Sequence, residues 1–359
     1  VLPALNICGG IESYAMNYYR HMDKSLVQSD FITHTDLECS FKDEIEAMGG
    51  RVFQFPVFSI KKLKPLLSRI DNFLKENRNK YDIIHCHMAN AAVFYFYLAK
   101  RYGYNIRILH SHQPFAADIF SHKIRNIPLL YLGNLLATHR LACAEPAGNF
   151  LFGNKSFTVM NNAVDVKKFS YDSSKRKVLR NALNLDDKII IGHAGRFCAQ
   201  KNQTFVLKIF EECLKLNDKL HLVFVGDGED RPLIENVVKG KRLEEHVTFV
   251  GSVDNINEYY QAFDAFLFPS LYEGFPVVLV EAQCSGLPII ASKNHIPQEV
   301  KVNDNFHFVS LEENSKVWAN KVIDALNNNR TIDLNKFEKH GLSIEYNVNQ
   351  LEKYYQSLV

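Results

Sequence analysis

Three groups of residues in this chain have types and spacings that could do chemistry. In Glu273-Gly274-Phe275-Pro276-Val277-Val278-Leu279-Val280-Glu281 a turn follows an apolar run and opens an apolar helical stretch, with Pro276 at the expected first helical position. The first amides of a helix have no intrahelical acceptor, so the N–H groups of Val277 and Val278 can hold a phosphate with help from the helix dipole. Glu281 follows about one turn further in, where a carboxylate can accept both hydroxyls of a ribose. The second group is the pair of strand-end motifs His85-Cys86-His87 and His110-Ser111-His112, whose period-two spacing sets each pair on one strand face. Four imidazoles gathered in this way could bind a metal, but no carboxylate or thiolate of ligand spacing joins them, so no metal site is assigned. The third is Gly9-Gly10-Ile11-Glu12, between an opening strand and a helix, where missing side chains allow a backbone to approach a phosphate or sugar.

Such groups need a scaffold that brings turns to one edge, and the sequence supplies one. Short β-branched runs alternate with helical patterns almost throughout, which is the mark of βαβ units and a mostly parallel α/β sheet. In the first half the spacing predicts strands at Phe31–Thr33, Arg51–Phe55, Tyr81–Cys86, Ile106–Leu109 and Ser156–Met160. In the second half it predicts strands at Lys188–His193, Leu220–Val225, Val247–Val250, Ala265–Pro269 and Pro288–Ala291. A loose charged stretch separates the halves. The expected organisation is a Rossmann-like domain over 1–167, a second over 168–340, and a terminal helical segment over 341–359 that packs back on the first domain.

In order and setting, these motifs resemble the family 4 retaining glycosyltransferases. The family's Glu-x7-Glu pattern matches Glu273 and Glu281, and its G-R-x-x-x-x-K loop matches Gly195-Arg196-Phe197-Cys198-Ala199-Gln200-Lys201. Val225-Gly226-Asp227-Gly228 adds the family's G-x-G turn, and Gly9-Gly10 its glycine pair. The resemblance implies two Rossmann-like domains facing across a cleft, the glycosyltransferase B-type fold, with reaction in that cleft. It also implies roles for particular residues. Arg196 and Lys201 would neutralise the donor diphosphate in place of a metal, Glu273 would lie near the transferred sugar, and Glu281 would hold the donor ribose. Gly274, Phe275, Val277 and Val278 would line the donor site. His110 is the first choice to contact the sugar, with His112 second. The donor would be a UDP-linked sugar acting as co-substrate, with no separate cofactor, and the acceptor a saccharide or lipid-linked saccharide in capsule or exopolysaccharide synthesis. Two departures, the Gly274/Pro276 order and Ala163 in place of a frequent Gly, affect loop shape only. A sugar-nucleotide 2-epimerase and a catalytically silent scaffold subunit are the competing functions.

Bulk properties exclude several other classes. With 42 Lys and Arg against 40 Asp and Glu there is no basic excess to suggest a nucleic-acid partner. Seven scattered cysteines without a C-x-x-C pair argue against a disulfide framework or zinc finger and favour a reducing, cytoplasmic setting. No apolar run approaches a membrane span. The basic, amphipathic stretch Ile60–Arg69 and the apolar stretch Leu129–Leu136 make peripheral contact with the inner face of a membrane an expectation.

Overall fold

Buried parallel strands read as continuous apolar runs, and Leu220-His221-Leu222-Val223-Phe224-Val225 is buried along its whole length. The computed structural model describes residues 1–5, 10–59, 61–116, 120–330 and 332–359, so Gly9 lies outside the described residues. The chain divides into two compact units, Val1–Ala163 with Ile344–Val359, and Val164–Ser343.

In the first unit, β1 (Phe31–Thr33) pairs with β2 (Val52–Gln54), and β3 (Ile83–Cys86), β4 (Ile106–Ser111), β5 (His139–Ala142) and β6 (Thr158–Val159) pair in sequence order. All of these pairings are parallel. Residues 1–3 lie between the two sheets: Leu2 N donates to Ile32 O at 2.9 Å and Val1 O accepts from His87 N at 3.0 Å. The terminal helix Ile344–Gln356 packs on the helix Gly10–His21 in this unit.

The second unit carries one six-stranded sheet, ordered β12-β11-β10-β7-β8-β9 and parallel throughout. Its strands are β7 (Ile189–Ala194), β8 (Leu220–Val225), β9 (Val247–Gly251), β10 (Ala265–Phe268), β11 (Ile289–Ser292) and β12 (Phe306–Val309). Apolar clusters cover both faces, one around Phe263, Phe266 and Leu279, the other around Phe210, Phe224 and Trp318. The strand order runs outward in opposite directions from the neighbours β7 and β10. The loops leaving these two strands at their carboxyl ends therefore diverge, opening the crevice in which doubly wound sheets bind ligands.

The charged stretch expected as a linker instead contains a helix, Ser173–Ala182, whose N-cap Asp172 accepts from the amides of Ser174 and Lys175. Its Arg176 and Arg180 are held by Asp264, at 2.5 and 3.1 Å, so its charges are structural.

Candidate active site

Both loops at the β7/β10 switch point belong to the sequence motifs. After β7, the chain passes through Gly195 and Arg196, buries Phe197, makes a 3-10 turn at Ala199–Lys201, and reaches Asn202 at φ 57° and ψ 41°. Asn tolerates this left-handed conformation better than most residues. After β10, the chain runs through Pro269, Ser270 and Glu273 to the helix Val277–Cys284.

Polar contacts fasten one loop to the other. Leu271 N donates to Gln200 O at 2.8 Å, Gln200 Nε2 to Tyr272 O at 2.8 Å, and Asn202 Nδ2 to Pro269 O at 3.1 Å, with Ser270 Oγ 2.9 Å from the Gln200 carbonyl. At their centre Lys201 Nζ lies 2.6 Å from Glu273 Oε1, with side chains 15% and 8% exposed. Ser270 Oγ donates to the same Glu273 oxygen at 2.5 Å, and the ammonium sits 4.8 Å from the Phe268 ring centroid.

A third loop supports the first. A Cβ at Gly226, where φ is +131°, would stand 2.2 Å from Gly195 O, and one at Gly228 would stand 2.3 Å from Phe197 O. The G-x-G turn after β8 thus lets two backbones touch, and Phe197 N donates to Asp227 O at 2.9 Å. Arg196, on that supported loop, pairs with Glu229 at 3.0 Å on the surface, both side chains more than half exposed. The structure therefore brings Lys201 to Glu273, three residues before Pro276, and leaves Arg196 paired elsewhere.

Pro276 occupies the N-cap of its helix, one place earlier than expected, because its ψ of 92° is extended and its carbonyl accepts from Leu279 N at 3.0 Å. The helical amides accordingly begin at Val277 and Val278. Both of these residues and Phe275 pack on the core, and Gly274 is half-buried. Four residues past Val277, half-buried Glu281 accepts from the Tyr260 hydroxyl at 3.0 Å. Burial raises its carboxyl to about 7, against the opposing pull of the Tyr260 hydrogen bond and the Lys168 charge.

Several residues that hold this site were not singled out from the sequence. Ser270 and Tyr260 bind the two glutamates. His193, fully buried, meets Leu267 O through Nδ1 at 2.9 Å and is held neutral by burial, its pKa lowered to about 4. The Gln203 side-chain amide, 3.4 Å from His193 Nε2, donates to Arg196 O at 2.9 Å. For Ser270, His193 and Gln203 the sequence signal was proximity to a motif, and for Tyr260 there was none.

In the first unit, the strand-end histidines differ in exposure. His110 has no exposed surface, and its Nε2 has no hydrogen-bond partner among the described residues. His112, half-buried at the end of β4, lines a cavity of about 490 Å³ with Asn90 and Gln113. His110 lines the same cavity, so both histidines border it and His112 has the greater exposure. Gly10 begins the Gly10–His21 helix with no neighbour within 4 Å of where a Cβ would stand, so no crowding there requires glycine.

Residues 175–342 match the family described as glycosyl transferases group 1, and residues 8–167 match Glycosyltransferase Family 4. EpsF of Bacillus subtilis (strain 168), which carries the name of a glycosyltransferase, is 36% identical over 339 residues, spanning 90% of this chain and 86% of that protein. The chain is a group 1, family 4 glycosyltransferase. This glycosyltransferase is also 24% identical over 330 residues to the capsular polysaccharide biosynthesis glycosyltransferase CapH of Staphylococcus aureus, covering 88% of this chain and 86% of CapH. Its fold is the glycosyltransferase B-type, built from two Rossmann-like units. The crystal structure of Anabaena Alr3699/HepE in complex with UDP superposes with a TM-score of 0.73 at 19% identity, over 98% of this chain and 94% of that one. In this transferase no described helix is long and apolar enough to cross a membrane.

Proposed function

We propose that this glycosyltransferase moves a sugar from a UDP-sugar to a saccharide or lipid-linked saccharide in surface polysaccharide synthesis, with retention of configuration and without a metal ion. The observation that carries the reading is the Lys201–Glu273 pair at the β7/β10 switch point, beside the amide end of the Val277–Cys284 helix. A fixed ammonium and free amides suit a leaving diphosphate, whose charge grows as the glycosidic bond breaks. Arg196, exposed and held among the described residues only by Glu229, can turn to the same charge when a donor enters. Glu281 takes the ribose. Glu273 has one oxygen already occupied by Lys201 and Ser270, which weakens it as a nucleophile and fits a charge that steadies the sugar. This favours front-face transfer, in which the donor phosphate takes the acceptor proton.

Of the two histidines on the first unit's cavity, half-buried His112 is the sugar contact of this reading. The UDP carrier is supported by the ligand named for the HepE structure, and the polysaccharide role by the name of CapH. The helix Phe120–Leu136 exposes Ile124, Ile127, Tyr131, Leu132 and Leu135. With the lysines and arginine of Lys61–Arg69, this supports contact with an anionic bilayer where a lipid-linked acceptor resides. Retention of the protein by phosphatidylglycerol vesicles at low salt checks that contact, and its absence from the vesicle pellet removes it.

The central test screens UDP-, GDP- and dTDP-sugars by thermal shift and then follows UDP release with and without saccharide acceptors in the presence of EDTA. A UDP-sugar is expected to raise the melting temperature most, with acceptor-dependent release unaffected by chelation. Conversion of the donor without an acceptor would instead identify a 2-epimerase.

A further inference from the structure

Four imidazoles close the carboxyl ends of β3 and β4 in two layers. In one, His85 Nε2 and His110 Nδ1 lie 3.1 Å apart with their rings 7° from parallel, and His85 Nδ1 meets the Tyr355 hydroxyl at 2.6 Å. In the other, His87 Nδ1 and His112 Nε2 lie 2.8 Å apart. The layers stack, His85 on His87 at 4.2 Å and His110 on His112 at 4.3 Å between ring centroids. Tyr14 abuts His110 and His112 edge-on at 5.0 and 5.2 Å.

Nitrogens of His85, His87 and His110 all lie within 4.8 Å of one another, close enough to suggest a metal. His85, however, already spends both nitrogens, on His110 and on the Tyr355 hydroxyl, and a cation bound by all three rings would have to break one of those bonds. The pairing itself is the better guide to function. Burial pushes all four imidazoles far down, His112 to about 3, so all are neutral, and a neutral ring has one N–H and one lone pair. A single hydrogen therefore occupies the His87–His112 contact, and the tautomers of the two rings are tied together. Placing it on His112 Nε2 puts both rings in the Nε2–H form that free neutral histidine prefers, whereas placing it on His87 Nδ1 puts both in the less favoured form. The preferred arrangement leaves His112 Nδ1 as a bare lone pair.

We propose that His87 is a positioning residue of sugar transfer: its Nδ1 accepts from His112 Nε2–H and so presents His112 Nδ1 as an acceptor for a hydroxyl of the transferred sugar. The inference rests on His112 being the sugar contact, and the test separates the two. In the full chain labelled with ¹⁵N-histidine, long-range proton–nitrogen spectra show which nitrogen of each ring carries hydrogen. The wild type is expected to show His112 in the Nε2–H form alone. His87→Leu is expected to show both forms and to lower kcat about tenfold, with a smaller change in KM for the UDP-sugar selected by the panel above. His87→Asn, whose side-chain oxygen can replace the lost acceptor, is expected to restore the single form and most of kcat. His112 signals unmoved by His87→Leu, or His87→Asn no better than His87→Leu at equal melting temperature, would overturn the proposal. So would one equivalent of zinc taken up with these four rings as ligands. If His112→Ala leaves turnover intact, the sugar-contact reading fails while the spectra still report the pairing, and the two failures are told apart.

Discussion

Replacing Glu281 by Gln should change how stability depends on pH, in a direction and by an amount that follow from its surroundings. The carboxyl is half-buried beside Tyr260 and is raised from the ordinary 4.5 to about 7, burial being the main cause. Below pH 4.5 both folded and unfolded chains carry the proton. Between 4.5 and about 7 the folded chain keeps a proton that the unfolded chain has released, so this group's contribution falls as pH rises across that window and levels off above it. At about 1.4 kcal/mol per tenfold change in proton affinity, the whole fall amounts to about 3 kcal/mol. The Gln variant has no proton to keep. Urea unfolding of wild type and Glu281→Gln at pH 4.5, 5.5, 6.5 and 7.5 should therefore give stabilities that diverge with pH, the variant gaining about 3 kcal/mol on the wild type by the upper end. A ribose bound by ionised Glu281 also requires loss of that proton, so UDP affinity should rise with pH up to about 7 in the wild type and stay flat in the variant. Parallel pH profiles for the two proteins would show that Glu281 titrates as an ordinary carboxylate and would refute both expectations.

Lys201→Met should leave the Glu273 carboxylate held by Ser270 alone; breaking a buried pair of this kind costs about 3–5 kcal/mol, and Glu273→Gln in the same chain should recover much of the melting temperature without recovering donor turnover. Gly226→Ala forces a methyl into the Gly195 carbonyl and should lower stability by about 1–3 kcal/mol while weakening UDP binding through the displaced Arg196 loop, measured by calorimetry. Arg196→Ala, by contrast, should leave the melting temperature nearly unchanged, since its present partner is an exposed carboxylate, and should reduce affinity for UDP about tenfold or more.

The second unit was the more legible half because its strands are buried on both faces and therefore read as plain apolar runs. β5 was missed: His139 and Arg140 break its apolar signal, and Arg140 is tolerated because Asn134 takes its guanidinium in two places and Ala137 O in a third. β12 was missed for a similar reason, with His307 interrupting two phenylalanines on the strand at the sheet's edge. Within the site, each glutamate and cation could be named from its motif, but their pairing could not. Lys201 and Glu273 are 72 residues apart, and nothing short of the β7/β10 adjacency tells that they meet. Glu229 carries no local sign that it competes for Arg196. Period-two spacing assigns His110 and His112 to the same face and does not tell that the first has no exposed surface while the second is half-buried.

The seam that runs from Gln200 to Tyr272 and from Asn202 to Pro269 has a bearing on engineering. Both of these bonds run from a side-chain amide to a main-chain carbonyl, so the seam depends on Gln200 and Asn202 as well as on the path of each strand-to-helix passage. Grafting one passage from a relative with a different nucleotide preference would mismatch the other half of the seam. Grafting both as a matched set keeps the register, and the donor pocket is inherited as a single cassette.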